Sequence, residues 1–167
     1  TLEDGYAWGV EVGARYRLRE KFFTAMSLTL GKSMRDSGPF AYDQPFAFSF
    51  LTSWKVAPRW TLGVRYRFAE GLPYTPVVDG TYNANDDQYD PVFGDANSVR
   101  MPAYQKIDLR VERVWKFRQW SLVGYIEGWF VPPSNNSLYP VYSYDYSEEL
   151  LVGGPVLLPL VGLRGEI

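Results

Sequence analysis

The stretch WTLGVRYRF, Trp60 to Phe68, decides how this chain folds. Trp60, Leu62, Val64, Tyr66 and Phe68 recur at every second position, and Thr61, Gly63, Arg65 and Arg67 lie between them. On a β-strand successive side chains point to opposite faces, so the segment has one ring-bearing face and one face carrying two arginines. The fold turns on which of the two looks inward.

The same period returns along the chain. AWGVEVGARYRL sets Trp8, Val10, Val12, Ala14, Tyr16 and Leu18 against Gly9, Glu11, Gly13, Arg15 and Arg17. FFTAMSLTLGKS sets Met26, Leu28 and Leu30 against small residues, and FAFSFLTSWKV sets Phe46, Phe48, Phe50, Trp54 and Val56 against Ala47, Ser49, Ser53 and Lys55. QKIDLRVERVWKF opposes Ile107, Leu109, Val111, Trp115 and Phe117 to Lys106, Asp108, Arg110, Glu112 and Lys116, with Arg113 and Val114 breaking the rule. LVGLRGEI places Val161, Leu163 and Ile167 opposite Gly162, Arg164 and Glu166. These runs match the roughly 9 to 11 residues that a tilted strand needs to cross a bilayer. The second face mixes small residues with charges of both signs. That mixture suits a barrel lumen filled by water or a plug, so the rings are expected to face lipid.

Composition agrees with this reading. At 167 residues one domain is the prior, yet 17% of the residues are aromatic while mean hydropathy is only −0.24. Rings in that number serve interfaces and membrane girdles, because Trp and Tyr join an apolar body to a polar tip. The net charge of −2, with basic and acidic residues interleaved, leaves no electrostatic footprint for nucleic acid. The chain has no Cys and no His, which removes disulfides, thiolate sites and the usual general base, so no enzyme activity and no cofactor are expected. TLEDGYAWGV does not resemble a signal peptide, so the chain is read as mature, processed or excised from something longer. LLVGGPVLLPLVGL is too short and too broken by Gly and Pro for a spanning helix.

Connections alternate in length. LREK, VAPR and KFRQ are tight, whereas RDSGPFAYDQ, the segment from Glu70 to Ser98 and SEELLVGGP are long, as in outer-membrane barrels with short periplasmic turns and long external loops. Trp54 and Trp60 flank one tight turn and Trp115 and Trp120 another, which predicts a membrane-interface belt of aromatics at one rim. If WSLVGYIEGWF and LYPVYSYDY form one strand bulged at VPPSNNS, the total is seven, too few and of the wrong parity to close alone. If VPPSNNS is a turn, the total is eight, a self-standing barrel with a structural or porin-like role, but the long loops then face the periplasm. A soluble lipocalin-like binder would instead turn the rings into an internal pocket.

EGLPYTPVVDG (Glu70 to Gly80), NSVRMPAYQKIDLRVERVW (Asn97 to Trp115), YSYDYS (Tyr142 to Ser147) and GPVLLPLVGLRGEI (Gly154 to Ile167) together resemble the C-terminal part of TonB-dependent outer-membrane receptors. The resemblance implies an antiparallel transmembrane β-barrel of about 22 strands with an N-terminal plug, of which residues 1–167 would supply the last seven strands. It implies energised uptake of a scarce ligand, such as a ferric siderophore, cobalamin or a glycan, across the outer membrane of a Gram-negative bacterium. The implied partners are outer-membrane lipid, the protein's own plug and remaining strands, TonB through the missing N-terminal part, and the barrel-assembly machinery. Two departures are that GWFVPPSNNS occupies the place of an Asn-Val-Thr-Asn-like stretch, and that Ile167 stands where the family tends to have Phe.

Candidate site residues follow from the strand pattern. Arg65 and Arg67 should neighbour Asp108, Arg110 and Glu112 on the lumen face, either as a ligand pathway or plug contact or as a charge ladder satisfying itself. DGTYNANDDQYDPVFGD carries Asp79, Asn83, Asn85, Asp86, Asp87, Asp90 and Asp95, whose spacing fails the EF-hand pattern, so a solvated external loop is expected rather than a metal site. Glu148 and Glu149 are adjacent on a loop, a placement that seldom converges on one substrate, and Gly153 and Gly154 lack the Lys of a phosphate loop.

Overall fold

The computed structural model describes residues 4–132 and 139–167, and in these residues it contains fourteen strands and no helix. In chain order they are β1 (Gly5–Leu18), β2 (Phe22–Arg35), β3 (Gly38–Pro39), β4 (Phe46–Ala57), β5 (Trp60–Ala69), β6 (Pro73–Tyr74), β7 (Val77–Asn83), β8 (Gln88–Phe93), β9 (Val99–Arg100), β10 (Tyr104–Lys116), β11 (Ser121–Val131), β12 (Tyr139–Tyr142), β13 (Glu149–Val152) and β14 (Val156–Glu166). Seven long strands form one antiparallel meander in the order β1-β2-β4-β5-β10-β11-β14, and β3 adds to β2. The outermost strands, β1 and β14, do not pair with each other, so the sheet is open. The all-β class and the antiparallel pairing are those that the two-residue period predicts.

Register keeps the two faces pure. Trp60, Leu62, Val64 and Tyr66 of β5 stand opposite Arg113, Val111, Leu109 and Ile107 of β10. On its other edge β5 sets Leu62, Val64, Tyr66 and Phe68 against Trp54, Thr52, Phe50 and Phe48 of β4. Opposed residues share a face, so one side of the sheet becomes a continuous field of rings and aliphatics. Phe46 and Phe68 meet edge to face at 5.4 Å, and Phe48 and Tyr66 lie at 6.2 Å. A slip between Trp54 and Ala57 takes Lys55 and Val56 out of the alternation expected for them.

On β10 and β11 the charged face is the more buried of the two, whereas β1 is exposed on both faces. Among the described residues of the main sheet Val123 is the one buried apolar side chain. Leu109 is 52% exposed and Val161 78%, while Asp108, next to Leu109 on the opposite face, is 7% exposed. In water the hydrophobic effect would drive the opposite arrangement. Two hydroxyls on the ring face are also satisfied internally: Thr24 and Thr52, directly paired, donate at 3.1 Å to the carbonyls of Leu51 and Phe23.

The tight connections lie at one end of the meander. Lys21 N donates to Leu18 O at 3.1 Å in the first, and Phe117 N to Trp120 O at 2.8 Å in the third. At the other end the long connections build their own hairpins, β7 with β8 and β12 with β13, and the short pair β6 with β9. Tyr139–Tyr142 therefore does not continue β11, as a single strand through LYPVYSYDY would require. β14 already occupies that edge of β11 up to the Val131–Val156 pair, and Tyr139–Tyr142 pairs with β13 outside the main sheet. Most of VPPSNNS, whose role as bulge or turn decides between the two strand counts, lies outside the described residues.

One buried charge ties the long-connection end together. Asp43 is 1% exposed, and its carboxylate takes the Ser33 amide at 2.5 Å and the guanidinium of Arg100. Arg100 also donates to the carbonyls of Asp43 at 2.9 Å and Gly71 at 3.2 Å. Four separate stretches of chain thus share a single knot.

Candidate functional sites on the charged face and the long loops

On the charged face the register brings Arg65 opposite Asp108 and Arg67 opposite Lys106. Arg67 Nη2 lies 3.8 Å from Asp108 Oδ2, and Lys106 Nζ lies 2.9 Å from Oδ1 in an ion pair that is not aligned as a hydrogen bond. Arg110 and Glu112 sit further along, opposite Gly63 and Thr61, and so do not join the two β5 arginines. They pair with each other instead, at 2.7 Å from Nε to Oε1, and Arg110 Nη1 reaches Glu127 Oε2 of β11 at 2.8 Å.

The network extends through rings that the sequence pattern leaves unassigned. Trp129 Nε1 donates to Glu127 at 2.5 Å, and the Trp129 ring lies under Lys106 Nζ at 3.7 Å. The guanidinium of Arg110 stacks 3.7 Å from the Tyr125 ring centre. That ring lies across Gly162 of β14, where a Cβ would come within 2.2 Å of it, so the glycine is what lets the ring lie flat. Lys106 already stands on this face in the alternation of QKIDLRVERVWKF, and Tyr125, Glu127 and Trp129 could have been found by carrying that alternation into WSLVGYIEGWF and applying the hairpin register. The arrangement neutralises charge locally, with the exposed Arg65 side chain on the same face.

The acidic loop is the β7–β8 hairpin. Asn83 Nδ2 donates to Asp86 and to Asp90, each at 3.1 Å, and its Oδ1 accepts the Asn85 amide at 3.1 Å. Asp79 accepts the Gly80 amide at 2.8 Å, and Asp87 accepts the Tyr82 hydroxyl at 2.6 Å, which holds that phenol above its usual range. No group of carboxylates among the described residues is placed to hold a metal ion. Glu149 takes the Tyr74 hydroxyl at 2.6 Å rather than facing Glu148. Burial and this carboxylate push the Tyr74 phenol upward.

Tyrosines join the two long loops, a feature that no strand period reveals. Tyr89 meets Tyr82 at 5.3 Å and Tyr144 at 5.6 Å, and the Tyr144 hydroxyl donates to Asp87 O at 2.6 Å. Beside them Asp145 accepts the hydroxyls of Ser143 at 2.7 Å and Ser147 at 2.8 Å and the Ser147 amide at 3.2 Å. These donors hold its carboxyl down to about 2. A folded-state pKa below the unfolded value contributes order that is complete above roughly pH 4 and lost as pH falls through the folded value. The Ser147 amide resonance is therefore expected to titrate with a midpoint near 2; a midpoint near 4 would show that Asp145 is not held by this turn.

Trp54, Trp60, Trp115 and Trp120 all lie at the tight-turn end. Trp54 is 52% exposed and Trp120 45%, the latter stacked on Phe117 at 4.4 Å.

No family model, curated protein or solved structure matches the chain.

Proposed function

We propose that this chain forms part of the wall and external loops of a TonB-dependent outer-membrane receptor, in the outer membrane of a Gram-negative bacterium. The observation that carries the reading is the inverted burial: a meander with rings and aliphatics bare on one face and with a self-neutralising charge network sheltered on the other. Hydrocarbon is the solvent that makes this arrangement favourable, and strands of 10 to 14 residues are long enough to cross it. The two unpaired outer strands are where the remaining barrel strands attach, and the plug meets the charged face. The tyrosine-rich loops take part in selecting a scarce ligand, whose entry is driven by TonB and requires no catalysis by this chain.

This chain has no cysteine of its own, so once any cysteine elsewhere in the receptor is replaced each label reports one introduced position. In the full receptor, in intact cells, a cysteine at Tyr144 is expected to react with a water-soluble maleimide from outside, one at Arg19 only after permeabilisation, and one at Val161 in neither case. Ligand accumulation should cease in cells lacking TonB. Rapid labelling at Val161 in the absence of detergent would refute the lipid-facing assignment; accumulation independent of TonB would refute the transport assignment.

A further inference from the structure

Arg113 stands out of place in the sequence pattern and is explained by the register. It does not interrupt the alternation: Val114 turns to the charged face opposite the buried Val123, and Arg113 takes the ring face opposite Trp60 and Gly124. Its guanidinium carbon lies 5.1 Å from the Trp60 ring centre and 5.2 Å from that of Trp115. A Cβ on Gly124 would fall 2.8 Å from the Trp115 indole, so the missing side chain is what allows that ring to lie against the sheet. Among the described residues no carboxylate pairs with Arg113. A cation held between two indoles keeps most of its hydrogen-bond donors available for an anion.

Arg113 itself lines a shallow groove with Trp60, Val111, Trp115, Ile126, Val161 and Leu163. The neighbouring tight turns are strongly basic. Arg19, Lys21, Lys55, Arg59, Lys116 and Arg118 lie in or next to them, against Glu20, which Lys55 engages at 3.4 Å, and Glu166, which stands opposite Ser121 and pairs with Arg164 at 2.7 Å. An apolar channel ending at a ring-clamped arginine under a positive field is complementary to a molecule with an anionic head and an apolar tail.

We infer that Arg113, Trp60 and Trp115 form a binding site for an anionic phospholipid, the phosphodiester on the guanidinium and an acyl chain along Val111, Ile126 and Leu163. This rests on the membrane reading above and adds to it a discrete headgroup preference at the tight-turn rim. A planar guanidinium suits a phosphate's paired oxygens better than an ammonium does.

The test is native mass spectrometry of the full-length protein in a neutral detergent, titrated with phosphatidylglycerol or phosphatidylcholine of the same chain length. The wild type is expected to retain phosphatidylglycerol about fivefold more strongly, Arg113→Gln to abolish that preference, and Arg113→Lys to keep part of it. Equal retention of both lipids by the wild type overturns the site, whether or not the variants fold. A preference that survives Arg113→Gln also overturns it, by assigning the effect to the general field of the turns. If the protein is monodisperse without detergent and takes up neither lipid, the membrane reading itself has failed; if it needs detergent and shows no preference, only the site has.

Discussion

Arg100→Ala is expected to destabilise the fold by about 3–5 kcal/mol, because it strands the carboxylate of Asp43 in the interior without its counter-charge. Asp43 is 1% exposed, so water cannot replace the lost guanidinium without opening the segment around it. The same substitution removes two backbone contacts, to Asp43 O and Gly71 O, that join the segment after β3 to the one after β5. Asp43→Ala together with Arg100→Ala should cost less than the two single changes summed, since the second removal leaves no charge to strand. Chemical unfolding of the four proteins in detergent measures this coupling. If Arg100→Ala falls within about 1 kcal/mol of the wild type, the pair is not the tie described here.

The second large effect separates two kinds of bare apolar residue. Leu109 is 52% exposed in the middle of β10, and Phe93 is 64% exposed on the β8 hairpin. On the proposed membrane reading, Leu109→Arg is expected to cost about 2–4 kcal/mol of inserted protein, the penalty for a charge near the middle of a barrel's lipid face. On the same reading Phe93→Arg should change stability by no more than about 0.5 kcal/mol, because the β7–β8 hairpin is outside the main sheet and would be outside the lipid. Reversible unfolding from lipid vesicles gives both values. Equal costs at the two positions would mean that the ring face is not solvated by lipid.

The wall of strands was legible because a period of two needs only local sequence. The rings of WTLGVRYRF, the tight turns and the proximity of Arg67 to Asp108 all follow from alternation and antiparallel neighbourhood. What depended on exact register was not legible. Arg110 reaches across to Glu127 rather than to the β5 arginines because the turn at 117–120 sets β11 against β10, and pattern alone does not fix that offset. Arg113 reads as an error in the alternation until its neighbours Trp60 and Trp115 show that the strand has reached the rim. The loop hairpins and their tyrosine contacts were hidden for another reason. Their strands are short, carry turn residues and bury no continuous face, so no period marks them. Asp43 and Arg100 are 57 residues apart and belong to no common motif.

The hairpins inside the long connections also bear on how the wall can assemble. Strand pairs joined by tight turns can zip from their ends in about 1–10 μs, whereas bringing β10 to β5 and β14 to β11 requires closing long loops, whose entropy cost rises with the length left free. Pairing β7 with β8 and β12 with β13 takes slack out of those two loops before the distant strands meet. A hairpin that forms first would therefore lower the entropy cost of the encounters that complete the sheet.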